Sequence, residues 1–535
     1  MQDKLLNYFN GDDLASSVWL GKYAQEREET PDDMHRRLAK EFARIEKEYQ
    51  NGNESIKPSY EDLSSYGKMR EDLTEESIYQ LFKDFKYIIP QGSIMSQLGA
   101  KSIGSLSNCF VIGQPEDSYG GIFQKDEEMV QLMKRRGGVG IDISTLRPKD
   151  TSVSNAAKTT TGAVSFMHRF SNSTREVAQN GRRGALMLSI DINHPDVMDF
   201  IKIKRDGTSV TGANISIKIN NDFMKAVENN EDYILRFPCN QDISYFSKEY
   251  IKANYGELHY IEDHKNNNSI VYTKTIKAKE YWDEIIKSAH GYAEPGIIFV
   301  DNHHNYSPDG AYPQFKGVTT NPCGEIFMQP YDACRLIALN LYSFINNPFT
   351  DKAEFDSKKF YEITYEAMRL SDDLINLEIE HIDRILNKLQ SDTETNEVKR
   401  TEIELWNKIK QTAQASRRTG LGFTALGDTV AALGYKYDSD EALLFVEQIM
   451  YIKMEAELDC TIDLAILRGP FEGWNPSKEF GTREGDYYQI GNAPLFFGNN
   501  SFYNMLIKDF PKQAQRMYQY GRRNVSWNTV NGSFV

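Results

Sequence analysis

Cys109-Phe-Val-Ile112, a helical stretch over residues 126–136, and Val139-Gly-Ile-Asp-Ile143 follow one another along the chain. Two short apolar, β-rich runs around a longer helical segment favour parallel strand pairing and an α/β architecture. The pattern continues downstream. Ala185-Leu-Met-Leu-Ser-Ile190, Ile215-Ser-Ile-Lys-Ile219 and Ile297-Ile-Phe-Val300 read as further strands, with a helix over 196–203 among them. This texture begins near Tyr87, and what precedes it is helical. Thr30 before Pro31 is an N-cap followed by a first-turn proline, with Asp33 near the positive helix end. Met34, Leu38, Phe42, Ile45 and Tyr49 then recur at the helical period. A polar stretch over 51–59 interrupts before a second helical segment over 75–85. Beyond the strands come a β region over 334–345 and long helices over 358–390 and 439–468. Polar segments 264–269 and 391–401 read as exposed loops or helix connections, and no internal repeat is visible. The chain therefore divides into a helical N-terminal region, 1–88, and an α/β region, 89–535.

With 535 residues, 40% hydrophobic and 26% charged, the composition is that of a globular protein large enough for one big α/β barrel or several domains. A net charge of −15 argues against broad binding to nucleic-acid phosphates, though not against a local basic pocket for one nucleotide. The N-terminus lacks the apolar run of an export signal, and no stretch of 18 apolar residues suggests a membrane span. Five cysteines, Cys109, Cys239, Cys323, Cys334 and Cys460, are too dispersed for a disulfide framework or a zinc site. The expectation is a reduced, cytoplasmic protein without a metal site of its own, whose thiols do redox work as catalysts.

Asn321-Pro-Cys-Gly-Glu325 is the most informative segment for chemistry. It stands between Thr319-Thr320 and the turn-rich Gln329-Pro-Tyr-Asp332, so a tight loop is expected. Amide, thiol and carboxylate converge there if the loop projects into a cavity. Taken alone, Cys-x-Glu is more often a core cysteine beside a surface glutamate. Three other segments change that weighing. Ser105-Leu-Ser-Asn-Cys-Phe-Val-Ile112 sets a second cysteine at the head of a strand. Arg135-Arg-Gly-Gly-Val-Gly-Ile-Asp142 supplies glycines that permit close backbone approach to a ligand, and Gln179-Asn-Gly-Arg-Arg-Gly184 is a glycine-flanked basic loop.

In this order the four segments resemble the large, catalytic subunit of ribonucleotide reductases, and the resemblance runs from about Tyr8 to Thr529. Thr211-Gly-Ala-Asn214, Glu294-Pro-Gly-Ile-Ile-Phe299 and Arg417-Arg-Thr-Gly-Leu-Gly422 extend it. It implies a ten-stranded α/β barrel of two five-stranded halves, incomplete at its C-terminal side here, with a finger loop carrying a radical cysteine into its centre. Cys323 would be the thiyl radical that removes the ribose 3′ hydrogen. Glu325 would be the base for the 3′-hydroxyl, and Asn321 would position a ribose oxygen. Cys109 and Cys334, 225 residues apart, would meet across the ribose and end as a disulfide. Ser93, Asn108, Gly137 and Gly138 would touch substrate; Asn108 stands where many relatives have serine. Asp117, Ser118, Arg147, Asn180, Arg182 and Arg183 would bind a deoxynucleotide or ATP effector. Cys239 and Cys460 match no role, and Cys460, in a helix, is expected to be packed core.

The Asn-Pro-Cys-Gly-Glu form and the short step from Cys323 to Cys334 look more like the adenosylcobalamin-dependent members than those using a metal-containing small subunit. After Gly521-Arg-Arg-Asn-Val-Ser-Trp-Asn-Thr-Val530 the family continues into a phosphate-binding loop and a shuttle cysteine pair. A split enzyme with a second polypeptide completing the barrel is therefore expected, with truncation as the alternative. The resemblance further implies a ribonucleotide substrate, a homodimer and a thioredoxin- or glutaredoxin-type reductant, with neither nucleic-acid nor membrane partners. Two readings compete with it: a catalytically incompetent deoxynucleotide-binding regulatory subunit, and a glycyl-radical lyase on the same barrel. The intact cysteine set disfavours both.

Overall fold

The computed structural model describes residues 2–51, 60–151, 153, 155–177, 184–239, 259–263, 269–481, 487–490, 493–496 and 498–527. In chain order its principal strands are β1 (Ile88–Pro90), β2 (Cys109–Gly113), β3 (Gly138–Asp142), β4 (Leu186–Asp191), β5 (Asn214–Ile219), β6 (Gly296–Phe299), β7 (Leu336–Asn340) and β8 (Gly420–Thr424). The chain forms two compact units. One comprises Met1–Asn108, Tyr306–Lys316 and Asp332–Val535; the other comprises Cys109–Asn305 and Gly317–Tyr331.

The second unit is built on β2 to β6, all parallel and in chain order, with Cys109 opposite Gly138, Val139 opposite Leu186, Met187 opposite Asn214 and Ser216 opposite Gly296. The five apolar runs expected as strands are these five, displaced by a residue or so at their ends. Along each strand the side chains alternate between the two faces of the sheet. Phe110, Ile141, Leu188, Ile190, Ile217 and Ile219 are at most 1% exposed and form the apolar set. Helices Tyr119–Met133, Ala163–Glu176 and Val197–Lys202 pack against the sheet. Burying side chains of that size favours folding by roughly 1.5–3 kcal/mol each. The alternate positions are mostly small or polar, namely Cys109, Gly138, Gly140, Asp142, Ser189, Asn214, Ser216 and Lys218, with Val111 and Met187 among them. Paired residues on neighbouring strands point the same way, so these positions share one face. On it Lys218 donates to Asp142 at 2.7 Å, an ion pair taken almost wholly out of water.

The other unit is mainly helical. The helix Pro31–Asn51 buries Met34, Leu38, Phe42 and Ile45 as the period requires, and Asp33 accepts from the Thr30 backbone N–H at 3.1 Å. The second helical segment is an α-helix over Glu75–Phe82 and a 3-10 turn over Lys83–Phe85. Helix Ser357–Ser391 packs on the sheet of β1, β7 and β8 and on the helix Asp440–Arg468. In that sheet β1 is antiparallel and β8 parallel to β7. The polar segment at 391–401 is less of a loop than its composition suggests. A helix, Asn396–Ser416, starts within it. Segment 264–268 lies outside the described residues, whose strands form open sheets rather than a closed ten-stranded barrel.

Candidate active site

The expected tight loop is the tip of a hairpin. Thr319 pairs with Met328 and Thr320 with Phe327. At the tip the Gly324 N–H donates to the Asn321 carbonyl at 3.0 Å, closing a β-turn with Pro322 and Cys323 as its central residues. Proline presets the backbone angle of its position, and Gly324 takes φ +84°, where a side chain would be strained. Asn321 also ties the hairpin across itself. Its N–H donates to the Ile326 carbonyl at 3.2 Å, and the Ile326 N–H donates to its Oδ1 at 3.0 Å. That second bond fixes the amide orientation, because Oδ1 is committed inward. Asn321 Nδ2 is left buried without a hydrogen-bond partner, as are Glu325 Oε2 and Thr320 Oγ1. Each such atom costs about 1–3 kcal/mol unless something polar meets it. Cys323 between them is an exposed residue.

The hairpin lies on the polar face of the parallel sheet, and the glycines of β3 make room for it. A Cβ on Gly140 would come within 2.0 Å of the Thr320 carbonyl oxygen, and one on Gly138 within 2.9 Å of the Pro322 ring. Ser189 and Thr319 share a hydrogen bond of 2.6 Å at the hairpin's base. Asn214 Nδ2 donates to the Pro322 carbonyl at 2.9 Å near its tip. Cys109, 7% exposed, is opposite Gly138 in register and so points to the face that Pro322 covers. The sheet thus brings Cys109 to the end where the turn presents Cys323. At Gly137 a side chain would meet the Phe110 ring at 2.6 Å, so the room at 137 and 138 is taken by the protein's own Phe110 and Pro322.

In the mainly helical unit, Ser93 and Asn108 lie together, with the Ser93 N–H donating to Asn108 Oδ1 at 2.8 Å. Ser93 Oγ is buried without a partner. The loop before Asn108 wraps the buried carboxylate of Glu378. Leu106 N–H and Ser105 Oγ donate to it at 2.6 Å each, and Ser107 Oγ at 3.1 Å. Cys334 is the last residue of the strand Asp332–Cys334. Cys239 ends the strand Asp232–Cys239. Cys460 is fully buried in its helix, and burial pushes its thiol well above the usual range, which suits packing and not redox chemistry.

Asp117, Ser118 and Arg147 line one cavity of about 200 Å³, with Tyr119, Ile122, Asn155, Thr159, Thr160 and Phe166. The Arg147 Nε donates to Asp117 Oδ2 at 2.8 Å and its backbone N–H to Oδ1 at 3.1 Å. Ser118 Oγ accepts from the Gly121 N–H at 3.0 Å and so caps the helix Tyr119–Met133. Asp196, whose carboxyl burial pushes up, accepts from Lys149 N–H at 3.0 Å and Ala163 N–H at 3.1 Å, pinning both ends of the segment that carries the threonines. Asn180, Arg182 and Arg183 lie outside the described residues. His303 and His304 stand in a helix, Val300–Tyr306, and their rings pack on Phe327 of the hairpin.

Glu378, Asn214, Ser189 and the cavity threonines were not singled out from the sequence. The alternation of polar with apolar residues in Asn214-Ile-Ser-Ile-Lys-Ile219 marks the face to which Asn214 belongs; Glu378 has no comparable local mark.

A family model described as the ribonucleotide reductase barrel domain matches residues 107–530. A vitamin B12-dependent ribonucleoside-diphosphate reductase of Thermoplasma acidophilum is 29% identical over 489 residues, 84% of this chain and 56% of that protein. The enzyme of the same name from Mycobacterium tuberculosis (strain CDC 1551 / Oshkosh) is 27% identical over 405 residues, 75% of this chain and 49% of that protein. A ribonucleoside-diphosphate reductase large subunit of Plasmodium falciparum is 24% identical over 384 residues, 70% of this chain and 43% of that protein. The chain spans about half the length of the curated relatives it matches.

Proposed function

The chain belongs to the ribonucleotide reductase barrel-domain family, and from that membership we propose that it reduces ribonucleotides to 2′-deoxyribonucleotides by a thiyl-radical mechanism. One observation carries the reading. The turn that exposes Cys323 leaves Asn321 Nδ2 and Glu325 Oε2 buried without partners, on the sheet face to which Cys109 also points. A ribose bears the hydroxyls that would satisfy both.

In this reading the Cys323 thiyl takes the 3′ hydrogen atom. Glu325 accepts the 3′-hydroxyl proton, and Asn321 Nδ2 donates to the oxygen on which carbonyl character develops. The 2′-hydroxyl leaves as water with a proton from Cys109 or Cys334. The two thiols together give up two electrons and two protons and become a disulfide. Cys323 then returns its hydrogen to C3′, and a thioredoxin- or glutaredoxin-type partner reduces the disulfide. The five parallel strands are one half of the ten-stranded barrel in this account. The division into 1–88 and 89–535 separates the helical N-terminal region from the catalytic barrel.

Adenosylcobalamin suits this site because Cys323 is open to an external oxidant and several relatives are named for that vitamin. When bound, it supplies the one-electron oxidation of the thiol; a metal-containing small subunit is the alternative source. Ser93 and Asn108 stay proposed as substrate contacts, and Gly137 and Gly138 through their backbone groups alone, since their Cβ positions face Phe110 and Pro322. The cavity at Asp117, Ser118 and Arg147, with Asn180, Arg182 and Arg183, is the proposed effector site for a deoxynucleotide or ATP. A homodimer belongs to the same proposal. The test is an assay of the chain, with and without a C-terminal fragment of a relative, on a ribonucleoside diphosphate with adenosylcobalamin. Turnover that vanishes in Cys323→Ser is expected. Equal turnover by Cys323→Ser would refute the reading.

A further inference from the structure

We propose that Asn214 is a positioning residue for Cys323, which it serves by holding the peptide plane on which the cysteine hangs. This inference rests on the reductase reading for its functional consequence, and on geometry alone for its structural one. Asn214 opens β5, a strand whose following residues, Ile215 to Ile219, alternate apolar with polar. Asparagine is depleted in strands, because its side chain competes for the backbone and packs poorly on a pleated surface. Nothing in the register of β5 asks for it. Its amide instead spans the sheet face and donates to the Pro322 carbonyl at 2.9 Å.

That carbonyl belongs to the peptide joining Pro322 to Cys323, so fixing its oxygen fixes the Cys323 nitrogen and the direction in which the chain enters Cys323. On the far side the turn is set by Gly324 donating to Asn321 and by the positive φ of Gly324. With both peptide planes fixed, the backbone sets the origin from which χ1 aims the thiol. The hairpin has two strand pairs of its own and the Asn321–Ile326 bonds beyond them, and Asn214 adds a bond from the sheet to the tip. Ser189 holds the base through Thr319, and the β3 glycines let the hairpin lie close, but neither reaches the turn's central peptide. Hydrogen transfer between sulfur and carbon is steep in distance, and a misplacement of about 1 Å can cost on the order of 100-fold.

The experiment compares the parent with Asn214→Asp, which is isosteric but lacks the donor when ionised, and Asn214→Ala. Alkylation of Cys323 by iodoacetamide is followed by mass spectrometry of its peptide, together with hydrogen exchange over 322–326 and over 215–219. Both variants are expected to raise Cys323 alkylation and tip exchange about five-fold, the factor of one ordinary neutral hydrogen bond. Exchange over 215–219 should stay at the parent's level, which shows that the sheet is intact. Where the parent turns over, kcat should fall with KM unchanged. Alkylation and tip exchange within two-fold of the parent in both variants would overturn the proposal. A parent that shows no turnover even with the C-terminal fragment and adenosylcobalamin, yet keeps the alkylation contrast, would instead count against the reductase reading and leave the anchor standing.

Discussion

Replacing Gly140 by alanine tests the docking of the hairpin most sharply. The added methyl would stand 2.0 Å from the Thr320 carbonyl oxygen and 3.0 Å from its carbon. Ordinary C···O contact is about 3.3 Å or more, so more than 1 Å must be found. Both partners are backbone, and no rotamer change relieves the clash. β3 lies between β2 and β4 and is held by ladders on both sides, whereas the hairpin has two strand pairs. The hairpin therefore moves. Overpacking of this kind costs about 1–3 kcal/mol, and at about 2–4 °C per kcal/mol for a unit of this size the thermal midpoint should drop by several degrees. Turnover should fall on the order of 100-fold, because Cys323 moves with the hairpin. Gly291→Ala is the control in the same unit. Its Cβ meets nothing within 4 Å near the end of the helix Ala278–Tyr292, and alanine there should stabilise by roughly 0.5–1 kcal/mol. Differential scanning fluorimetry and single-turnover assays read both variants. A Gly140→Ala protein with the parent's midpoint and turnover would refute the close docking of hairpin on sheet.

Two further outcomes are expected. His35 is wholly buried against Phe85, and burial holds its imidazole down at about 4. The unfolded chain takes up a proton near 6.5 and the folded chain does not, so this residue's contribution is full above 6.5 and is lost as pH falls toward 4. The loss is worth about 3 kcal/mol; urea midpoints of parent and His35→Leu at pH 7.5 and 4.5 should show a steeper loss in the parent, and parallel losses would contradict it. Glu378→Ala strips the acceptor from Leu106 N–H, Ser105 Oγ and Ser107 Oγ, and should destabilise by roughly 2–4 kcal/mol in chemical denaturation; a change under about 0.5 kcal/mol would show that the loop does not depend on it.

The five parallel strands and the helices from Pro31, Ser357 and Asp440 were legible because their signals are local. The period of Met34 to Ile45 and the short β-branched runs depend on no distant partner. The tight turn was legible too, since Pro322 and Gly324 are the residues that it requires, while the strand pairing below it was not. The job of the β3 glycines was not. Gly138 and Gly140 read as room for a ligand, yet their missing side chains are replaced by Pro322 and Thr320, about 180 residues further along the chain. Glu378 and Asn214 escaped for the same reason, because each acts on a segment far off in sequence. For the cavity at Asp117 the chain gave the capped helix start, but the threonines that close it lie on an irregular segment with no periodic signature.

The central claim is that Cys109 and Cys334 supply the two electrons for the ribose that Cys323 activates. Its most direct measurement is a single turnover of the reconstituted protein without external reductant, quenched with an alkylating agent and mapped by mass spectrometry. The account predicts one Cys109–Cys334 disulfide for each deoxynucleotide formed, with Cys239 and Cys460 still reduced. Deoxynucleotide formed while both Cys109 and Cys334 remain alkylated as free thiols would contradict it.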